Sequence, residues 1–292
     1  MTTSSSTATA ATTASTAALS CPSRSSGSGA TRPQPRPRSS RMKTKLLFAL
    51  AACGVALGAA SAQDMPLSQI IKEGEGWRPI KAGYARIIGL IQLPGGIVTV
   101  YHEGGSDRIR SDGRVAQSSG EVVAAPAQVR TNRGFAYVIR GEPPRVSLLG
   151  KNRPNIDASG ISRPAGLALS PDESTLFIGD SSGRAVWAFR IEADGRLSCG
   201  EPYCPLRLPP GKKESGVSAL ASDAAGRIYA ATPLGVQVFD PTGRLCGVLA
   251  KPANAELTAL AFGGKDLDTL HVACGDGVYA RKMLAKGRAH SD

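Results

Sequence analysis

The chain has 292 residues and a formal net charge of +12. That charge is unevenly placed: residues 1–62 hold seven Lys or Arg and no acid, which leaves 28 basic against 23 acidic residues, a net of +5, in the remaining 230. A balance of that size, with no basic run interleaved with aromatics, argues against a nucleic-acid partner, and the length fits one all-β domain or two small ones.

Residues 1–41 are rich in Ser, Thr, Ala, Pro and Arg. Such a segment has too little apolar surface to offset its ordering entropy, so disorder is expected. The pattern changes at Met42. Lys43 and Lys45 are followed by an apolar, small-residue run from Leu46 to Ala60, and Ala60-Ser61-Ala62 forms an A-x-A cleavage site. Residues 42–62 therefore read as a secretory signal peptide. Export to the periplasm or the medium is expected, with Met42 as the true start and residues 1–41 an upstream extension. The apolar run is too short for a membrane span, and none remains after cleavage.

Cysteine use agrees with an oxidising compartment. Cys21 and Cys53 leave with the removed segment, and Cys199, Cys204, Cys246 and Cys274 remain. An even number permits disulfides. Cys199 and Cys204 are close enough in sequence to close a small loop. Cys246 and Cys274 either pair across adjacent strands or stay free and buried. No second CxxC or HxxxH accompanies them, so zinc is not indicated.

Residues 63–82 are a lead-in segment with an apolar patch at Leu67–Ile71 and Trp77, expected to pack against the first repeat. From Gly83 to residue 284, short apolar runs alternate with Gly, Pro, Asp and Asn clusters, and no helical period is sustained. The best-formed unit is RPAGLALSPDESTLFIGD, from Arg163 to Asp180: strand, Ser-Pro-Asp turn, strand. Its second strand recurs at Val98, Phe135, Leu176, Ile228 and Leu270, with spacings of 37, 41, 52 and 42 residues. Three copies continue into a third strand and a tight turn: RIRSDGRV, VWAFRIEADGRL and VQVFDPTGRL. A period near 40 with several strands per unit is the mark of a β-propeller. The expected fold is all-β, with five clear repeats and room for a degenerate sixth blade, followed by a basic tail at residues 285–292. Trp77 and Trp187 are expected to pack in the core or between blades.

These repeats also resemble a family. The run from RPAGLALSPDES to EADGRLS, then GRIYAATPLGVQVFDPTGRL and TALAFGGKDLDTLHVACGDGVYARKM, is similar to the senescence-marker-protein, gluconolactonase and regucalcin family. The likeness is good over residues 160–284 and poor over 76–150. It implies a six-bladed propeller that binds one divalent metal, calcium or zinc, at the top of the channel and hydrolyses lactones or related esters. The resemblance further implies that the metal is held by an acid or amide just before the first strand of several blades, an arrangement of oxygen ligands suited to a hard cation.

Carried onto this chain, the family's first-blade Glu falls on Ile88 and its Asn positions on Ala125 and Ala165. Its late Asp, also the implied general base, falls on Ser218. No metal is then expected, unless a calcium or zinc site is rebuilt from other residues. The remaining catalytic candidates are Ser218, His102 and Asp180, which could gather with Glu103 at one rim. The alternative is a strand-end His102 and a turn-forming Asp180. His271 alternates within a strand and reads as structural, and His290 lies in the tail. Two functions stay open: an exported lactone or ester hydrolase with a drifted site, or a non-catalytic propeller that takes a small molecule or a protein partner at the same rim. A redox role for Cys199 and Cys204 lacks the electropositive setting it needs.

Overall fold

Apolar runs broken by turn formers fold here as antiparallel hairpins, because each buried strand ends where Gly, Pro or Asp interrupts it. A computed structural model describes residues 66–118, 127–149, 156 and 158–289. The upstream extension, the signal segment, Ala125 and His290 lie outside the described residues.

The strands form five small antiparallel sheets in a ring, a five-bladed β-propeller. Strand β1 (Arg78–Lys81) precedes the first blade, which holds β2 (Ile87–Leu93), β3 (Ile97–His102), β4 (Gly105–Ile109) and β5 (Val115–Ser118). Blade two holds β6 (Gln128–Arg130), β7 (Ala136–Arg140) and β8 (Arg145–Leu148). Blade three holds β9 (Pro164–Leu169), β10 (Thr175–Asp180), β11 (Ala185–Ile191) and β12 (Leu197–Pro205). Blade four holds β13 (Ala219–Ser222), β14 (Ile228–Thr232), β15 (Gly235–Phe239) and β16 (Leu245–Leu249). Blade five holds β17 (Leu257–Gly263), β18 (Thr269–Cys274) and β19 (Gly277–Lys282).

The recurring second strand is β3, β7, β10, β14 and β18. Its marker residues Val98, Leu176, Ile228 and Leu270 are fully buried. Among the described residues, four apolar clusters fill the seams from blades two and three round to blades five and one. Both tryptophans pack as expected: Trp77 against the seam of blades four and five, Trp187 against that of blades two and three.

Two sequence expectations are corrected. The lead-in segment neither packs on the first repeat alone nor starts a sixth blade. Instead β1 pairs with β19 as the outer strand of blade five, with Arg78 opposite Ala280 and Lys81 opposite Val278. Pro79 is tolerated there because an outer edge needs no N–H from it. The small loop expected from Cys199 and Cys204 also fails to form. Both thiols are free and sit on β12, where extended chain at about 3.3 Å per residue holds them well beyond the roughly 5.5 Å Cα spacing of a disulfide. Cys274 is a free, buried thiol as well.

The C-terminal residues through Arg288 lie against the ring. They cross the lower mouth of the ring and touch every blade. Met283 N donates to Asp268 O and Gly287 N to Leu267 O in blade five. Ala224 N of blade four donates to Lys286 O. The Arg288 guanidinium bonds Glu173 in blade three at 2.6 Å and the Arg130 carbonyl in blade two at 3.4 Å. Gln92 Nε2 of blade one donates to Arg288 O at 2.8 Å.

Glu173 is 6% exposed and Arg288 8%. Glu173 also has a φ of +58°, a left-handed conformation that costs a non-glycine residue about 1 kcal/mol. The equivalent turns of blades two and four place Gly134 and Gly226 there. The carboxylate explains the exception, since it accepts from both Arg288 and Asn132 N. Arg288→Ala leaves a buried carboxylate without its cation and is expected to lower the unfolding free energy by about 3 kcal/mol. The check is a urea unfolding curve with an unchanged m-value; a loss under about 0.5 kcal/mol, the size of a neutral surface change, would show that the strap does not hold the ring.

Candidate functional site

Every inner strand of a blade begins at the same rim, so the residues at those starts converge on the axis. Three of the starts carry a β-bulge at the same place. The register slips between Ile87 and Gly89, between Pro164 and Leu167, and between Leu257 and Ala259. A bulge leaves one residue unpaired and re-aims its side chain, and the residues so placed are Ile88, Ala165 and Thr258. Ser218 precedes β13 at the fourth start. A rim cavity of about 560 Å³ is lined by Ile88, Ser218, Thr258, Arg86 and Glu256 among others.

Ser218 Oγ donates to the Leu257 carbonyl at 2.6 Å and so ties blade four to blade five. The Thr258 hydroxyl is buried with no hydrogen-bond partner in the protein. Glu256 is exposed, and Arg86 pairs with Glu103 at 3.6 Å on the surface. Two hydroxyls and two hydrocarbon side chains do not fit the oxygen set that a hard cation takes. Among the described residues no group of three or more His, Cys, Asp or Glu could hold a metal.

The three catalytic candidates sit in separate hydrogen-bond sets. Asp180, at the end of β10, accepts from the backbone N–H groups of Ser162, Arg163 and Ser182 at 3.0–3.2 Å, which makes it the staple of its own turn. Ser218 bonds backbone carbonyls. His102 belongs to a buried cluster between blade one and β1. Its ring packs on Tyr84, centroids 4.8 Å apart, and its Nε2 lies 3.9 Å from Asp107 Oδ1. Asp107 is 1% exposed and accepts from Lys81 Nζ at 2.6 Å and the Tyr84 hydroxyl at 2.7 Å. Burial alone would raise the Asp107 pKa, but Lys81, Tyr84 and His102 outweigh it and hold the carboxyl below its usual range. Burial, reinforced by Asp107, pushes the Tyr84 hydroxyl well above its ordinary value.

Thr258, Lys81, Tyr84 and Asp107 were not anticipated. A signal existed for two of them. Thr258 precedes Ala259-Leu260 as Ser218 precedes Ala219-Leu220, and Asp107 occupies an inward position in the alternation of β4. Nothing local marks Lys81 or Tyr84 as its partners. Cys204 is no redox nucleophile, because burial pushes its thiol up to about 12.

Fold and rim together define a five-bladed propeller with a cavity at the start of its inner strands. The chain belongs to the SMP-30/gluconolactonase/LRE-like family, whose profile matches residues 71–275. It is 30% identical over 116 residues to the gluconolactonase of Zymomonas mobilis, which covers 37% of this chain and 31% of that protein. It is 29% identical over 124 residues to pentonolactonase XacC of Haloferax volcanii, 41% of each chain. The chain thus matches well under half the length of these relatives. A solved structure of a putative gluconolactonase superposes with a TM-score of 0.61 at 16% identity, covering 76% of this chain and 97% of that one. That likeness shows the fold.

His271 is buried on β18, and burial pushes its pKa down to about 4. Between pH 6.5 and 4 the unfolded chain takes up a proton there that the folded chain refuses. Stability therefore falls as pH falls through this window, by up to about 3 kcal/mol for this group, and the effect levels off below about pH 4. Urea midpoints measured across the window should slope for the wild type and flatten for His271→Gln. Equal slopes would sink the assignment.

Proposed function

We propose that this chain is a ligand-binding member of the gluconolactonase-like family. It takes a small hydroxylated lactone, or the acid that the lactone opens to, at the upper rim without metal-dependent hydrolysis. The observation that carries the reading is the donor chemistry at the inner-strand starts: Ile88, Ala165, Ser218 and Thr258. Hydrolysis of such a ring needs a polarised carbonyl and a base for water. Ser218 is already donating to a backbone carbonyl, and neither Ile88 nor Ala165 can accept a proton. The rim cavity keeps the Thr258 hydroxyl, Arg86 and Glu256 for binding.

A hydrolase reading is favoured by a different observation, the lactonase names of the curated relatives. Purified mature chain incubated with a panel of aldonolactones, with and without calcium or zinc, separates the two. The expected result is ligand-dependent thermal stabilisation, no hydrolysis above background, and no rise in Tm with either metal. Metal-dependent turnover would overturn the binding reading. The triple change Ile88→Glu, Ala165→Asn and Ser218→Asp should confer a calcium- or zinc-dependent rise in Tm that the wild type lacks.

Export rests on the segment Met42 to Ala62. Expressed in a bacterial host, the full chain should be found outside the cytoplasm with a new N-terminus at Gln63. Retention in the cytoplasm with an intact leader would refute export.

A further inference from the structure

A second cavity, of about 410 Å³, occupies the lower half of the channel and shares no lining residue with the upper rim. Its wall comes from the later residues of all five inner strands, including Leu90, Ile91, Leu167, Ala221 and Leu260, and Arg288 of the strap lies at its floor. Protein interiors close-pack and keep few voids above the size of a water molecule. A space of this size, with apolar residues on part of its wall and polar ones on the rest, has the dimensions of a small-molecule site.

Charge narrows the ligand. No Asp or Glu lines the cavity, whereas Arg130 and Arg288 do. Arg288 is neutralised by Glu173 at 2.6 Å. Arg130, an exposed residue of the lining, has no ion-pair partner among the described residues. Two of the polar lining side chains are spent within the protein, Gln92 on the Arg288 carbonyl and Ser222 on the Leu169 carbonyl, and the uncharged Tyr101, Gln128 and Asn132 belong to the polar part of the wall. One planar cation without a counter-ion, beside the apolar stretch of wall at Ile91, Leu167 and Ala221, suits a ligand with a compact hydrocarbon body and a single anionic end.

We infer that the lower channel is a binding site for a small apolar organic acid, its body among Ile91, Leu167 and Ala221 and its anionic group on Arg130. This site is independent of the upper rim and of whatever the rim binds.

The test is titration of the folded mature chain with anilinonaphthalene sulfonate, an apolar anion, and with the neutral phenylnaphthylamine. Saturable one-to-one binding of the anion is expected. Ala221→Phe and Ile91→Trp each fill the cavity and should abolish it. Arg130→Gln should weaken the anion by about tenfold, the scale of a lost charge-assisted hydrogen bond, while changing the neutral probe less than about twofold. Ile88→Trp, which fills the rim instead, should leave the binding unchanged. Nuclear Overhauser contacts from the bound anion to the Ile91 and Ala221 methyls of the wild type decide the location without any variant, should a filled variant fail to fold. Absence of saturable binding, contacts elsewhere, or loss of binding in Ile88→Trp would overturn the site. An unchanged anion affinity in Arg130→Gln would overturn the ligand class.

Discussion

Closing the ring is the constraint on which the rest of this structure depends. Each blade touches only its two neighbours, so an open ring exposes two apolar faces that a closed one buries. Two devices close it here, one from each end of the folded chain. β1 adds itself to β19, which makes the first ordered strand part of the last blade. The Lys81–Asp107–Tyr84 cluster then locks β1 to blade one. Breaking such a buried cluster is costly because Asp107 would be left charged and unpaired. The C-terminal strap supplies the second closure from below, with bonds to all five blades.

The turn at Ser170 to Ser174 shows how local and global demands meet. Ser-Pro-Asp reads as a turn on sequence alone, and Asp172 does bond Ser170 and Ser174 as such a turn requires. The next position is left-handed, and the sister turns answer that need with glycine. Glu173 accepts the strain because its carboxylate joins blade two, blade three and the strap. Sequence pattern exposes the turn but not this role, since the partner lies far along the chain in a tail that reads as merely basic.

The same division runs through the molecule. The all-β class, the repeat of second strands and the tight Asp-Gly turns were legible because they rest on period-two burial and on local turn chemistry. The five repeats were legible as well and match the five blades; the absence of a sixth was not, because β1 belongs to a sheet formed by residues at the other end of the chain. At the site, three of the four described inner-strand starts could be named by position. Thr258 escaped although the same Ala-Leu pair follows both it and Ser218. His102 could be singled out as polar at a strand end. Its real neighbours, Asp107 and Tyr84, depend on a seam between blades that no linear spacing reports.

The upper rim separates scaffold from chemistry. The bulges at Ile88, Ala165 and Thr258 are backbone features, held by strand pairing on either side and by packing below. None of these side chains needs to bind anything for the bulge to form. Stability is instead placed in the seams, the β1–β19 pairing and the strap. Ile88 and Ala165 carry none of that structural duty, whereas Ser218 ties blade four to blade five, and membership in the family does not by itself fix the reaction. Ile88 turns this into a physical statement. A branched hydrocarbon at the mouth of the cavity makes a water-facing cation site less favourable while leaving the backbone geometry of the site in place. The backbone geometry at these inner-strand starts is thus set independently of the side chains they carry.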